Sequence, residues 1–133
     1  MTFILNLTDT HCHLDFEKFD PDREAVLERA ERAGVVCIII PGLDLPTSRA
    51  AVKLAGGHPL LYTAVGIHPT EAGTWTEDTD SRLRDLIKPS GLPGTPAASK
   101  IVAIGEIGLD YYWDSAPHDI QKDILRRQLA LAA

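Results

Sequence analysis

Two histidines near the N-terminus have the spacing of a metal-binding pair. His11 and His13 lie in the segment LTDTHCHLDF, residues 7–16, with Cys12 between them. Side chains two positions apart on a strand point to the same side, about 6–7 Å apart at a rise of ~3.3 Å per residue. Both imidazoles could therefore reach one cation. The H-x-H pattern is short, however, and two histidines packed at the end of an ordinary strand would fit it equally well.

A single carboxylate in an apolar run is the second candidate for chemistry. Glu106 lies in VAIGEIGLD, residues 102–110, between two glycines. A buried carboxylate without a partner is strongly destabilising, so Glu106 needs a cation or a hydrogen-bonded network. The sequence leaves two interpretations open: a salt bridge to an arginine of a neighbouring helix, or a carboxylate that bridges two cations beside the histidines.

The elements that must position these residues repeat four times along the chain. Each apolar, β-branched run is followed by a turn and an amphipathic segment. The second and fourth runs are continuously apolar, which is typical of parallel strands covered on both faces. Strands that alternate with helices predict an α/β fold. The predicted strands cover residues 3–11, 35–42, 60–69 and 100–110, and the predicted helices cover about 20–34, 46–55, 77–87 and 117–133.

Two further local predictions concern the first helix and the longest connection. Asp20 is the predicted N-cap of the first helix and Gly34 its end. The segment PSGLPGTPAAS, residues 89–99, is predicted to be a loop. The stripe of the first helix that is predicted to face the core consists of Ala25, Val26, Ala30 and Ala33.

Unusual residues stand at the C-terminal ends of the predicted strands: the two histidines, then His68, then Glu106 and Asp110. In a (β/α)8 barrel this face carries the chemistry. Because such a barrel typically takes ~250 residues, four βα units in 133 residues predict the N-terminal half of a TIM-type (β/α)8 barrel. Residues 1–133 would then form part of one domain whose C-terminal half is absent. A half barrel exposes strand edges and apolar helix faces, so we expect it to require a missing C-terminal half or self-association.

The composition is that of an ordinary globular protein, with 44% apolar residues and a net charge of −6. The negative charge argues against broad electrostatic binding of duplex DNA, but it is compatible with an enzyme that holds phosphate through metal ions. No apolar run approaches the roughly 18 residues of a membrane helix, and the N-terminus lacks the features of a signal peptide. Cys12 and Cys37 are expected to be buried free thiols, and the protein is expected to be cytoplasmic.

Four motifs together resemble those of the TatD family of metal-dependent deoxyribonucleases. They are DTHCHLD at 9–15, GIHP at 66–69, GEIGLDYYWD at 105–114 and the pattern Q-x6-Q-L-x-L-A at 121–132, and they extend over the whole chain. The resemblance implies a TIM-like barrel that hydrolyses phosphodiester bonds of DNA with two divalent metal ions. By position it makes His11 and His13 metal ligands and Glu106 a catalytic residue that bridges both ions.

The resemblance also implies what this chain lacks. Members of the family supply two further histidines and an aspartate from later strands, which lie beyond residue 133. Three ligands cannot hold two ions in a catalytic arrangement, so we expect the chain to be inactive on its own. Two ions about 3.5–4 Å apart would lower the pKa of a bound water and clamp the attacking and leaving oxygens. Mixed imidazole and carboxylate ligation suits Zn²⁺ or Mn²⁺, whereas Mg²⁺ prefers oxygen, and the sequence does not choose among the three.

Three other residues are candidates for binding a substrate, which we expect to be single-stranded DNA or a DNA end. His68 could contact a phosphate or orient a ligand, or it could be a structural strand-end histidine. Tyr112, with its aromatic neighbours, could stack on an unpaired base, although packing of the loop is the commoner role. Asp110 could hold a neighbouring histidine or basic side chain.

Two competing functions remain open. An amidohydrolase that acts on small amides would share the H-x-H pair, but such enzymes often carry a modified lysine on the fourth strand, where this chain has Glu106. A half-barrel fragment without catalytic activity that oligomerises would carry the same motifs without using them.

Overall fold

The computed structural model describes residues 6–88 and 100–133, and its described strands form one parallel four-stranded sheet. The strands follow one another in the sheet in the order in which they occur along the chain. Ile40 pairs with Thr63, and Val65 pairs with Ile104. The prediction of an α/β fold with four βα units is therefore confirmed. The strands are β1 (Leu7–Asp9), β2 (Val35–Pro41), β3 (Leu61–Val65) and β4 (Ile101–Ile104).

A helix follows every strand, and two short 3-10 helices lie in the connections. Asp44 and Thr47 form a reciprocal capping box at the start of the second helix, which explains why the helix begins there. The prediction of Asp20 as the N-cap is wrong: the N-cap is Asp22, two residues later, and Asp20 accepts a hydrogen bond from the side chain of Arg23. The α-helices are α1 (Arg23–Arg32), α2 (Leu45–Gly56), α3 (Thr79–Ile87) and α4 (His118–Ala132), and the 3-10 helices are Glu17–Phe19 and Pro69–Thr74.

The core lies between the sheet and the helices in two clusters. The first joins β2 and the start of β3 to α1 and α2, and the second joins the end of β3 to α3 and α4. Leu27, which is absent from the predicted stripe of the first helix, is the buried residue of α1. The largest fully buried apolar side chains include Leu27, Ile40 and Leu61 in the first cluster, and Val65, Ile67 and Leu83 in the second.

Both outer strands of the sheet are open among the described residues. β1 is exposed along its whole length, and Val102 of β4 is 50% exposed. None of the four residues of β4 is buried, so the prediction that the fourth strand is covered on both faces is wrong for the described part of this chain. Cys12 and Cys37 are free thiols, as predicted, but they are half-buried rather than buried. Burial raises the pKa of the Cys12 thiol, and Asp9 raises it further.

The strands are shorter than predicted, so the candidate residues lie beyond them. β1 ends at Asp9, β3 at Val65 and β4 at Ile104. Residues 1–5 and the predicted loop at 89–99 lie outside the described residues. None of the described helices is both long enough and apolar enough to cross a membrane.

Candidate metal centre

The two histidines are held beside the end of β2 by their own short turn. Asp9 ends β1, and its side chain accepts a hydrogen bond from the backbone N–H of His11 at 3.0 Å. Cys12 then donates its N–H to the carbonyl of Ile39 in β2 at 3.1 Å. The rings of His11 and His13 consequently lie 5.1 Å apart, nearly perpendicular to each other. The predicted proximity is present, although the pair follows the strand rather than ending it.

Glu106 reaches the histidines because the chain crosses the sheet after β4. Gly105 still donates its N–H to the carbonyl of Val65 in β3, at 3.0 Å. The next residue, Glu106, donates instead to the carbonyl of Gly42, which follows β2, at 2.9 Å. The Gly105–Glu106 peptide bond is cis. The change of hydrogen-bond partner from Val65 to Gly42 moves Glu106 past the end of β3 toward β1 and β2, where the histidines are.

The crossing needs a glycine in the GIHP motif. A Cβ atom on Gly66 would lie 3.0 Å from the Cγ2 atom of Ile107 and 3.1 Å from the carbonyl carbon of Gly105. Such contacts are tighter than a packed interior tolerates without movement. Gly66 therefore leaves the space through which the segment carrying Glu106 passes.

The carboxylate of Glu106 faces three imidazoles. Its Oε2 atom lies 3.2 Å from Nε2 of His11 and 3.7 Å from Nε2 of His13. Its Oε1 atom lies 3.4 Å from Nε2 of His68. Within 4.0 Å, the described part of the chain provides no lysine or arginine partner for this carboxylate, so the alternative of a salt bridge to an arginine finds no support there.

The donor set of His11, His13 and Glu106 fits a divalent metal ion. Each offers one ligand atom, and these atoms lie within 4.8 Å of one another. Two imidazole nitrogens and one carboxylate oxygen suit Zn²⁺ or Mn²⁺ better than Mg²⁺. The side chain of His11 is 54% exposed, which leaves one side of the group open to further ligands or to substrate.

A buried carboxylate stands behind His13. Nδ1 of His13 and Oδ1 of Asp15 are both buried without a hydrogen-bond partner, and they lie 3.9 Å apart. Burial raises the pKa of the Asp15 carboxyl, an effect that His13 and Arg23 partly offset. A histidine that binds a metal through one nitrogen usually donates its other N–H to a carboxylate. Asp15 is placed to accept a hydrogen bond from Nδ1–H of His13, which would leave Nε2 of His13 free for the ion. In the sequence, Asp15 is only an acidic neighbour of the pair, because its burial cannot be read from its position.

His68 presents a protonated nitrogen to Glu106 when its ring is neutral. It caps the 3-10 helix Pro69–Thr74, and its Nδ1 atom accepts the backbone N–H of Thr70 at 3.2 Å. The same Nδ1 atom lies 2.7 Å from the hydroxyl of Thr70, which can donate to the ring or accept from it. The backbone N–H can only donate, so a neutral ring that accepts it carries its hydrogen on Nε2. In that tautomer His68 is a hydrogen-bond donor toward Oε1 of Glu106, and it lies outside the group of His11, His13 and Glu106.

The other two candidates lie in the loop between β4 and α4. Oδ1 of Asp110 accepts the backbone N–H groups of Tyr112 and Trp113 at 2.9 and 3.1 Å, so this carboxylate shapes its own loop. Tyr112 is 83% and Trp113 69% exposed, and their rings meet edge to face at 4.9 Å. The third aromatic residue, Tyr111, stacks on His118 at 3.8 Å. Tyr112 and Trp113 are thus the most exposed rings of the loop, whereas Tyr111, 46% exposed, packs against the first residue of α4.

Three buried polar residues for which the sequence predicted no role support these loops. Gln121 and Gln128 of α4 and Ser48 of α2 are at most 1% exposed. Gln121 binds the backbone of Asp110 and Ala116, while Ser48 and Gln128 bind the backbone just before His68. The two glutamines belong to the Q-x6-Q pattern at 121–132, but that pattern does not show what they bind. Ser48 is only a polar residue on an amphipathic helix, which does not distinguish the buried face from the exposed one.

Comparisons with known proteins agree with the geometry of the site. The sequence model of the family described as "TatD related DNase" matches residues 8–133. The "Uncharacterized metal-dependent hydrolase YabD" of Bacillus subtilis is 42% identical over 126 residues, which are 95% of this chain and 46% of that protein. The "3'-5' ssDNA/RNA exonuclease TatD" of Musicola paradisiaca is 36% identical over 126 residues, 94% of this chain and 44% of that protein.

Solved structures show the same relationship. The crystal structure of YJJV, a TatD homolog from Escherichia coli K12, superposes with a TM-score of 0.80 at 35% identity, covering 98% of this chain and 48% of that one. The TatD family hydrolase from Entamoeba histolytica superposes with a TM-score of 0.83 at 26% identity, covering 98% and 46%. The chain therefore spans about half the length of the relatives that it matches. With a family match along nearly its whole length and the same fold, the chain belongs to the TatD family.

Proposed function

We propose that the protein to which this chain belongs is a divalent-metal-dependent nuclease that hydrolyses phosphodiester bonds of DNA, with single strands or free ends as substrate. The observation that carries the proposal is the convergence of His11, His13 and Glu106, whose ligand atoms lie within 4.8 Å of one another. The names of the relatives, metal-dependent hydrolase and ssDNA/RNA exonuclease, agree with this chemistry.

Each residue of the site has a distinct part in this proposal. His11, His13 and Glu106 would hold metal, and a bound divalent ion would supply Lewis acidity and a bound water of lowered pKa. His68 directs its Nε2–H into the same space, where it can donate to Glu106 or to a phosphate oxygen. The exposed ring of Tyr112 can stack on a base that is free of a partner strand, which favours single-stranded substrates.

The chain alone is expected to be inactive. A catalytic zinc ion usually has three protein ligands, and a two-ion site needs more than the three that this cluster offers. The remaining ligands would have to come from a segment or a second copy that covers the open strands β1 and β4. We also propose that the protein is cytoplasmic.

The substrate class can be tested with the full-length protein, stripped of metal by a chelator and reloaded separately with Mn²⁺, Zn²⁺ or Mg²⁺. The substrates are end-labelled single-stranded DNA with a free or a blocked 3′ end, duplex DNA, RNA, and a small cyclic amide. We expect metal-dependent cleavage of single-stranded DNA, and loss of that cleavage after chelation. Hydrolysis of the cyclic amide alone would assign the site to an amidohydrolase. Turnover of no substrate with any metal would favour a non-catalytic role.

The expected inactivity of the isolated chain has its own measurement. Residues 1–133 are assayed at the same molar concentration as the full-length protein, and their mass in solution is determined by light scattering. We expect no cleavage. Cleavage by the isolated chain as a monomer would contradict the requirement for additional ligands.

A further inference from the structure

A buried amide on α4 binds the segment that presents His68. Gln128 is fully buried. Its Oε1 atom accepts the backbone N–H of Ile67 at 2.7 Å, and its Nε2 atom donates to the carbonyl of the same residue at 3.0 Å. One side chain thus occupies both backbone groups of the residue directly before His68.

A serine on α2 does the same for the preceding residue. The Oγ atom of Ser48 lies 3.2 Å from both the backbone nitrogen and the carbonyl oxygen of Gly66. Gly42 allows this approach, because a Cβ atom there would lie 2.2 Å from that Oγ. Consecutive residues of the GIHP segment are therefore held from two helices by buried side chains.

These side chains replace the backbone hydrogen bonds between β3 and β4, which end at this point. β3 and β4 pair up to Val65 and Ile104, after which Glu106 turns to Gly42. Gly66 and Ile67 would otherwise keep unpaired N–H and C=O groups in the interior, which is strongly unfavourable.

The same contacts fix the position of the imidazole. His68 donates its own N–H to the carbonyl of Leu43 at 2.7 Å, so the backbone is bound at three consecutive residues. Its ring is oriented by Thr70, and its Nε2 atom lies 3.4 Å from Oε1 of Glu106. Little freedom remains for the ring to leave the carboxylate.

We propose that Gln128 is a positioning residue for the site: by fixing Ile67, it holds the Nε2–H of His68 against Glu106 and the space beside it. The effect on turnover rests on the proposed function, whereas the effect on the imidazole does not. If Gln128 only stabilised the fold, its replacement would lower the melting temperature and leave the ¹⁵N NMR signals of the His68 ring unchanged.

The test compares two glutamines of the same helix in the full-length protein. Gln128→Met preserves the shape of the side chain and removes both hydrogen bonds to Ile67. Gln121→Met is the matched control, because Gln121 is equally buried and binds the backbone of a different loop, at Asp110 and Ala116. The readouts are the melting temperature, the zinc affinity, kcat and KM on single-stranded DNA, and the ¹⁵N NMR signals of the His68 ring, assigned with His68→Gln.

We expect both variants to melt at lower temperature, but only Gln128→Met to change the ¹⁵N signals of His68. Zinc affinity should stay within a few-fold, since the three ligand residues are untouched. The kcat value should fall by up to about 100-fold in Gln128→Met, as expected for a misplaced catalytic group, with a smaller change in KM. Should Gln128→Met fail to fold, Ser48→Ala, which releases Gly66 from the other side, is expected to shift the same signals.

The outcomes separate the two proposals. Unchanged His68 signals in the folded Gln128→Met protein, or the same change in Gln121→Met, would overturn the positioning role. Altered His68 signals in a protein that cleaves no nucleic acid would leave the positioning role standing and remove the proposed function.

Discussion

Replacing Asp15 by asparagine should weaken metal binding and at the same time stabilise the metal-free fold. Oδ1 of Asp15 and Nδ1 of His13 are buried without partners and lie 3.9 Å apart. A charge-assisted hydrogen bond is about 2.7–2.9 Å long, so a movement of about 1 Å closes the pair. When His13 binds an ion through Nε2, its Nδ1 carries the proton, and the carboxylate becomes the acceptor.

The size of the effect follows from what each substitution removes. Loss of a partner that orients a metal-binding histidine typically costs 10- to 100-fold in affinity, which is about 1.4–2.7 kcal/mol. Asparagine keeps an oxygen acceptor but loses the charge, so Asp15→Asn is expected to weaken zinc binding by about tenfold. Asp15→Ala removes the acceptor altogether and should approach about 100-fold.

The stability of the metal-free protein should change in the opposite direction. Burial raises the pKa of the Asp15 carboxyl above its ordinary value of 3.8, so the folded protein holds this proton more tightly than the unfolded chain does. The resulting stabilisation is complete below the ordinary value and is lost as the pH rises through the raised one. The wild-type protein should therefore lose this contribution across that interval, whereas Asp15→Asn should not, and the variant should melt at higher temperature near neutral pH.

The assays use the full-length protein. Zinc affinity is measured by competition with a chromophoric chelator near neutral pH, and melting is followed after chelator treatment across the acidic range. Asp22→Asn is the control, because Asp22 is 53% exposed and its only ion-pair partner among the described residues is Arg29. Unchanged zinc affinity in Asp15→Asn, or an equal loss in Asp22→Asn, would refute the assignment of Asp15 as the acceptor for His13.

Three further predictions concern the ligand, the crossing and the exposed ring. Glu106→Gln should abolish metal-dependent turnover with little change in melting temperature, whereas the exposed Glu77→Gln should keep full activity; near-normal turnover in Glu106→Gln would exclude Glu106 as a metal ligand. Gly66→Ala should lower the free energy of unfolding by about 1–3 kcal/mol in urea titrations, because its Cβ atom would press on Ile107. Gly73→Ala is the control and should cost much less, since a Cβ atom there meets nothing within 4 Å; equal effects would contradict the close crossing. Tyr112→Ala should raise KM for single-stranded DNA by about 5- to 150-fold, which corresponds to about 1–3 kcal/mol of stacking. The KM for a small phosphodiester without a base should stay unchanged, and parallel changes for both substrates would argue against stacking.

Much of the architecture could be predicted because it depends on local pattern. The alternation of apolar runs and amphipathic segments gave four βα units in the right order, and the C-terminal ends of parallel strands share one edge. That rule places His11, His13 and Glu106 at the same edge of the sheet. Because β1 and β4 are the two outer strands, only the crossing after β4 brings Glu106 to the histidines. The predicted ends of the third and fourth strands lie too far along the chain, because apolar residues such as Ile67 and Ile107 follow β3 and β4 after the pairing of the strands has ended.

The supporting contacts could not be predicted, since they join distant parts of the chain. Gln128 binds Ile67 across 61 residues, and nothing near either residue in the sequence indicates the pairing. The orientation of the His68 ring depends on the backbone N–H and the hydroxyl of Thr70, which the GIHP motif does not reveal by itself. Burial of Asp15 likewise depends on how the loop after β1 folds back against its surroundings.

The crossing after β4 has a consequence for folding. His11 and Glu106 are 95 positions apart (106 minus 11), so an ion bound to both would act as a cross-link that closes most of the chain into one loop. Such a link removes more freedom from the unfolded state than a local contact would, and it ties the exposed strand β1 to the last βα unit. Adding zinc should therefore slow amide hydrogen exchange in β1 and β4 together, so that the first and last units of the chain open as one rather than separately.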